Sequence, residues 1–143
     1  MIILSIALLV IDLFSKYLAT TFLKPLGNID LIKGVFSLTF VENSGAAFGM
    51  MQNGRWFFII LTVAVLSVLA LWLIKKKTSG KLIGFSMSLI FAGALGNLIE
   101  RILYGYVTDM LRVHFFDFPV FNFADCCVVI GTFLLCLYIL KSE

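Results

Sequence analysis

Four stretches of this chain are too long and too apolar to be anything but helices crossing a membrane. They run over residues 2–23, 56–74, 82–101 and 120–140. The first reaches about 33 Å at about 1.5 Å per helical residue, against a hydrocarbon core about 30 Å thick. The second is free of charge, and the third stays so until Glu100. The fourth holds Asp125 near its start, and the first is broken only by Asp12 and Lys16.

Composition excludes the alternative of a water-soluble globule. The chain is 62% hydrophobic and 13% charged, where soluble domains average about 45–50% apolar and about 25% charged. At 143 residues, one domain spanning 1–143 is the expectation. The 3 cysteines, Cys126, Cys127 and Cys136, share one apolar run, and the only histidine is His114. Neither a zinc site nor a disulfide scaffold fits that pattern, so the thiols read as small buried hydrophobes and no metal is expected. The opening run could pass for a cleaved leader. It has no preceding basic segment and no small-x-small site after it, and Asp12 and Lys16 interrupt it, so it reads as a permanent helix.

Lysines set the orientation. Lys75, Lys76, Lys77 and Lys81 fill the link between the second and third runs, and Lys141 follows the fourth. Cytoplasmic loops are enriched in Lys and Arg, which puts that link and both termini inside and the connections 24–55 and 102–119 outside. In the first outer connection Phe36, Leu38 and Phe40 alternate with Ser37 and Thr39, the period of a strand with one apolar face. Lys33-Gly34 supplies a turn before it. A small sheet on the outer membrane surface follows, within a β-rich loop at about 28–49.

Ionisable residues inside a membrane cost at least about 2.5–3.5 kcal/mol each near its centre, so the few present are functional candidates. Asp12 and Lys16 stand i,i+4 and read as a structural ion pair. Asn43-Ser44-Gly45 closes the outer loop, where Asn43 both donates and accepts hydrogen bonds and Gly45 and Gly49 permit tight turns. Gly93 and Gly96 permit close helix packing, and Asn97 and Arg101 share one face of the third run. Asp109 and Asp125 are the decisive pair. They lie sixteen residues apart, far enough to leave one helix and enter its antiparallel neighbour, so they can face each other at the outer interface. Two poorly solvated carboxylates cannot both ionise cheaply, and a shared proton makes one a base toward water and the other an acid toward a carbonyl.

These blocks together resemble the bacterial lipoprotein signal peptidases. The resemblance is carried by Asp12-x-x-x-Lys16, by Asn43-Ser-Gly-Ala-Ala-Phe-Gly49 and by Gly93-Ala-Leu-Gly-Asn-Leu-Ile-Glu-Arg101. It continues through Gly105-Tyr-Val-Thr-Asp109 and Phe121-Asn-Phe-Ala-Asp125, in order and across nearly the whole chain. It implies an all-α membrane protein, four transmembrane helices with a small extracytoplasmic β-cradle. It also implies an aspartic endopeptidase that cuts prolipoproteins before a diacylglyceryl-modified cysteine in the bacterial cell (inner) membrane. By resemblance, Asp109 and Asp125 are catalytic, while Asn43, Gly45, Asn97, Arg101, Asn122 and Ala124 bind substrate around them. No cofactor, no metal and no nucleic acid is implied; the partners are lipidated prolipoproteins and membrane lipid, and the enzyme is expected to be monomeric. Glu100 departs from the family's usual Asp and is left outside the core site, and His114 and Asp117 receive no role.

A small proton- or cation-coupled transporter using the same carboxylates is the alternative. Such proteins place their acids near the midplane, whereas these two lie at one interface. A non-catalytic membrane subunit would have no reason to aim two acids, two asparagines and an arginine at one outer site. The orientation is open to direct test in a cysteine-free background. Asn43→Cys is expected to react with a membrane-impermeant thiol reagent in intact cells, and Lys76→Cys only after permeabilisation. The opposite labelling would put the paired acids on the cytoplasmic side.

Overall fold

The computed structural model describes residues 1–46, 50–76 and 80–142. Ala47, Phe48 and Gly49 of the Asn43 motif, and Lys77 of the lysine cluster, lie outside them. Among the described residues the chain forms helix α1 (Ile2–Leu18), which continues through a wider π turn at Ala19–Leu23 into the short α2 (Lys24–Leu26). Strands β1 (Asn28–Ile32) and β2 (Phe36–Asn43) follow. Then come α3 (Arg55–Lys76), α4 (Lys81–Leu103), β3 (Val107–Val113) and α5 (Phe123–Ser142). Four helical stretches, Ile2–Leu26, Arg55–Lys75, Lys81–Leu103 and Phe123–Lys141, are long and apolar enough to span a membrane. The protein is thus a multi-pass membrane protein with a small sheet.

α4 is the central helix. Of its spanning stretch 56% is buried, against 11–17% for the other three, whose apolar side chains face outward as lipid-exposed helices should. Small residues let its neighbours approach. A Cβ at Gly93 would strike the Ala124 carbonyl oxygen of α5, and one at Gly96 would strike the Asp12 carboxylate of α1. On α5, a Cβ at Gly131 would lie 2.9 Å from the Ser86 carbonyl oxygen of α4. In lipid, where burying apolar surface gives little drive to associate, such backbone proximity is what packs helices. Ser88 of α4 adds a hydrogen bond from its hydroxyl to the Met1 carbonyl oxygen at 3.0 Å.

The sheet caps one end of the bundle, because each of its strands joins a helix there. β1 follows α2, β2 leads toward α3, and β3 connects α4 to α5. The strand order is β1-β2-β3, antiparallel throughout. Ile29, Leu38, Phe40 and Leu111 pack with Met110 on Ala19 and Leu23 of the π turn, so the alternation read in 36–40 faces the end of the first helix. Gly27, at φ +81°, makes the reversal out of α2, a conformation that costs glycine little.

The connection 102–119 is more than a connection, since it contains β3. Its alternation is hidden because Val107, Thr108, Asp109 and Met110 are all buried, so polar and apolar residues do not sort by face. α5 also begins later than the apolar run does. Phe121 is held in an extended bridge with Leu111, and Asn122 then caps the helix.

Gly96→Ala and Gly84→Ala separate close packing from helix propensity. Nothing lies within 4 Å of a Cβ at Gly84, so alanine there should be neutral or stabilising by up to about 1 kcal/mol. Alanine at 96 must displace Asp12 and should cost about 1–3 kcal/mol. Thermal unfolding of the detergent-solubilised variants reads both, and equal behaviour would contradict the packing.

Candidate active site

Asp109 and Asp125 meet at the capped end of the bundle, brought from a strand and a helix. Successive strand residues face opposite ways, so Thr108 turns to α4 while Asp109 turns to the cavity. In the register of β2 with β3, Asn43 pairs with Val107 and Val41 with Asp109. Asn43 and Asp109 are therefore diagonal neighbours on one face, and Asn43 Nδ2 donates to Asp109 Oδ2 at 2.9 Å.

Asp125 is fixed by a reciprocal capping arrangement at the start of α5. The Asp125 backbone N–H donates to Asn122 Oδ1 at 2.9 Å, and the Asn122 backbone N–H donates to Asp125 Oδ2 at 3.1 Å. This is the capping-box geometry with Asn and Asp in place of Ser/Thr and Glu. The helix cap and the carboxylate's orientation are one feature here.

Three asparagines then supply donors, and their orientations follow from their partners. Asn122 offers its oxygen to the Asp125 N–H, so its Nδ2 must point away, and it donates to Asp109 Oδ1 at 2.6 Å. Asn43 offers its oxygen to the Gly45 N–H at 3.0 Å, which leaves Nδ2 for Asp109. Asn97 offers its oxygen to Lys16 Nζ at 2.7 Å, and its Nδ2 donates to Asp125 Oδ1 at 2.8 Å. Asn122 thus touches both carboxylates, one through its side chain and the other through its backbone.

These two acids stand at the head of a cavity of about 680 Å³. Asn43, Gly45, Asn97, Arg101, Asp109 and Asp125 line its polar end, and Phe58, Leu61, Val65, Leu66, Ile90, Val128 and Leu135 line an apolar groove between α3, α4 and α5. Arg101 donates to the Gly45 carbonyl oxygen at 3.1 Å and lies over the Phe58 ring at 4.9 Å. Asn122 and Ala124 are brought to the dyad but not to the cavity wall. Both are fully buried behind it, and the Ala124 N–H donates to Asp12 Oδ1 at 3.0 Å.

The Asp12–Lys16 pair is present at 2.9 Å, but it is part of a larger cluster. Lys16 also lies 3.3 Å from Glu100 Oε2. Glu100 accepts from the Thr108 backbone N–H and from its hydroxyl, each at 2.8 Å. Thr108 and Glu100 therefore join the site, although the motifs give Thr108 no role and leave Glu100 outside the core. Both were legible in principle: a buried acid one residue from Arg101 needs donors, and Thr108 precedes Asp109. His114 sits away from this site, bonded to Ser37 Oγ at 2.7 Å. Among the described residues no cluster of His, Cys, Asp or Glu could hold a metal ion.

The bundle thus opens an apolar groove onto a buried Asp109 and a partly buried Asp125 at one end of a multi-pass membrane protein. The chain belongs to the signal peptidase (SPase) II family, whose model matches residues 4–141. It is 46% identical to a lipoprotein signal peptidase of Halothermothrix orenii, over 94% of this chain and 91% of that one. It is 44% identical to another from Caldanaerobacter subterraneus subsp. tengcongensis, over 87% of this chain and 85% of that one. A bacterial membrane enzyme solved by the in meso method at 2.3 Å superposes with a TM-score of 0.90 at 34% identity, covering 98% of this chain and 87% of that one.

Burial holds the Asp109 carboxyl above the ordinary carboxylate range, at about 6; the Asn43 hydrogen bond opposes the rise, and the Asp125 charge adds to it. The folded state therefore binds this proton more tightly than the unfolded chain. The stability due to that proton is fully present below about pH 4 and is lost as pH rises through about 6, with an upper bound of about 3 kcal/mol. Thermal unfolding in detergent from pH 4 to 7 should fall more steeply for the wild type than for Asp109→Asn. Equal slopes would mean that Asp109 titrates as an ordinary exposed acid.

Proposed function

We propose that this peptidase acts as an aspartic endopeptidase. It would remove signal peptides from prolipoproteins by cutting before the diacylglyceryl-modified cysteine. The observation that carries the reading is the pair Asp109 and Asp125, bridged by Asn122 at the head of an apolar groove. Family membership and the lipoprotein signal peptidases among the relatives support the substrate class.

The environments of the two acids divide their labour. Burial raises the Asp109 carboxyl to about 6, so Asp109 is assigned the proton. Asp125 is held by the Asn122 backbone N–H and Asn97 Nδ2 and is assigned the role of base. Asp125 takes a proton from water as the water oxygen attacks the scissile carbonyl carbon, and Asp109 gives its proton to the carbonyl oxygen. Collapse of the tetrahedral intermediate reverses both transfers. Asp125 protonates the leaving amine nitrogen, and Asp109 recovers its proton from the hydroxyl that becomes the new carboxyl. General acid–base catalysis of this kind needs neither a metal nor a covalent intermediate.

Asn43, Gly45, Asn97 and Arg101, on the cavity wall, are assigned to the substrate backbone and headgroup region. Asn122 and Ala124 are assigned to holding the dyad from behind. The apolar groove takes the signal peptide or acyl chains, and bilayer lipid surrounds the outer faces. We assign the dyad to the extracytoplasmic side and both termini to the cytoplasm, on the lysine distribution. We assign the activity to a single copy, in which Asn43, Asn97 and Asn122 supply amide donors to the two acids.

Purified protein and a diacylglyceryl-modified prolipoprotein, with product masses as readout, test the reading. Asp109→Asn and Asp125→Asn should each lower cleavage at least about 10³-fold while remaining folded. Substantial turnover by either variant would remove the aspartic mechanism. Chelator treatment should leave the rate unchanged, and inhibition by EDTA that zinc reverses would put a metal in its place.

A further inference from the structure

Outside the two aspartates, the most demanding group in the protein is Lys16. Its ammonium is buried, with the side chain 3% exposed, and an ammonium in such a place must have all three of its protons bonded. Three groups surround it: it donates to Asn97 Oδ1 at 2.7 Å and pairs with the carboxylates of Asp12, at 2.9 Å, and Glu100, at 3.3 Å. Each of the three leads onward to the dyad. Asn97 donates directly to Asp125 at 2.8 Å. Asp12 accepts the N–H of Ala124, the residue before Asp125. Glu100 accepts both donors of Thr108, the residue before Asp109.

We propose that Lys16 is the positioning residue of the dyad. It dictates which end of the Asn97 amide faces Asp125 and, through Asp12 and Glu100, anchors the backbone immediately before each aspartate. A primary amide has one accepting and one donating end. With its oxygen held by the ammonium, Asn97 presents only N–H to Asp125. Without the ammonium the Asn97 oxygen keeps only the longer contact from Asn122 Nδ2, at 3.3 Å, an amide group already committed to Asp109 at 2.6 Å; a turned amide would put an oxygen against the Asp125 carboxylate it now supports. This role rests on the aspartic reading above and gives a purpose to a charge placed where a structural pair with Asp12 alone would not require Asn97 or Glu100. Glu100 gains its function here as well, since it reaches Thr108 and Lys16 together.

A double-mutant cycle on turnover distinguishes positioning from general support. Lys16→Met should lower kcat about 100-fold with KM changed less than about 3-fold, and Asn97→Ala should lower kcat by a similar factor, the size expected when reacting groups are misplaced by about an ångström. Their double variant should lose about 100-fold again in total, because both lesions remove one path. Lys16→Arg keeps the charge, but its planar, longer head group does not offer the same three-point contact; it should fold and still fail to restore kcat. Where Lys16→Met does not fold, Lys16→Arg completes the cycle. Multiplicative losses approaching about 10⁴-fold, or full kcat in Lys16→Arg, would overturn the positioning role. Asp109→Asn and Asp125→Asn run beside them. If these are inactive while the cycle is multiplicative, only the role of Lys16 falls; if they cleave, the dyad falls and takes this role with it.

Discussion

A carboxylate withdrawn from water inside an apolar bundle must be given donors, and that requirement organises this protein. Asp12, Glu100 and Asp109 are each at most 5% exposed, and an unpaired buried charge of this kind is among the costliest groups a fold can hold. The response is a continuous network rather than a set of separate pairs. One ammonium serves Asp12, Glu100 and Asn97, and asparagine amides and backbone N–H groups serve the two aspartates of the dyad. Asparagine suits the work because it donates without adding charge, and each one here is locked by a partner on its oxygen.

The network explains why the fold needs a sheet at all. The four helices bury the apolar surface, and Asp109 reaches Asp125 from outside them. β3 carries it there, with Glu100 clamping Thr108 on one side and Asn43 reaching across from β2 on the other. The sheet is in turn seated by Met110 and Leu38 on the π turn of the first helix. Gly96 belongs to the same design. Its missing side chain is the space into which Asp12 fits, so a helix-packing glycine and a buried ion cluster are two aspects of one contact.

Much of this was legible in the sequence, and the parts that were not share a cause. Spanning helices announce themselves because lipid demands long unbroken apolar runs, and the hairpin strand at 36–40 announced itself because one of its faces meets apolar residues. β3 was hidden because Thr108 and Asp109 are polar yet buried, so the period of a strand was absent. Asp109 and Asp125 stood out as rare acids at one end of the bundle. Their supporting groups did not, because a capping asparagine such as Asn122 looks the same in sequence whether or not its amide also touches a second carboxylate. Lys16 read as half of an i,i+4 pair, since the contacts to Asn97 and Glu100 are far away in the chain. Local spacing finds local partners, and a network that closes through four elements becomes visible only in three dimensions.

The division of the cavity into a polar head and an apolar groove bears on how such a site selects its substrate. Burying a methylene from water is worth about 0.8 kcal/mol, but a lipidated peptide already resides in the bilayer, so moving its chains from lipid into the groove gains little. Affinity from the groove is therefore weak in principle, and its contribution is geometric. In the function proposed above it fixes the depth and register of the chain so that the scissile bond meets the aspartates, a positioning effect that substitutes for the entropy of encounter. The same proposal gives discrimination to the polar end, where Asn43, Gly45 and Arg101 line the cavity beside the two acids. Those groups are held by the same framework that holds the acids, Asn43 through Asp109 and the Gly45 N–H, and Arg101 through the Gly45 carbonyl. The polar wall of the cavity and the geometry of the two acids are thus set by one set of hydrogen bonds, so a change that loosens either should loosen both.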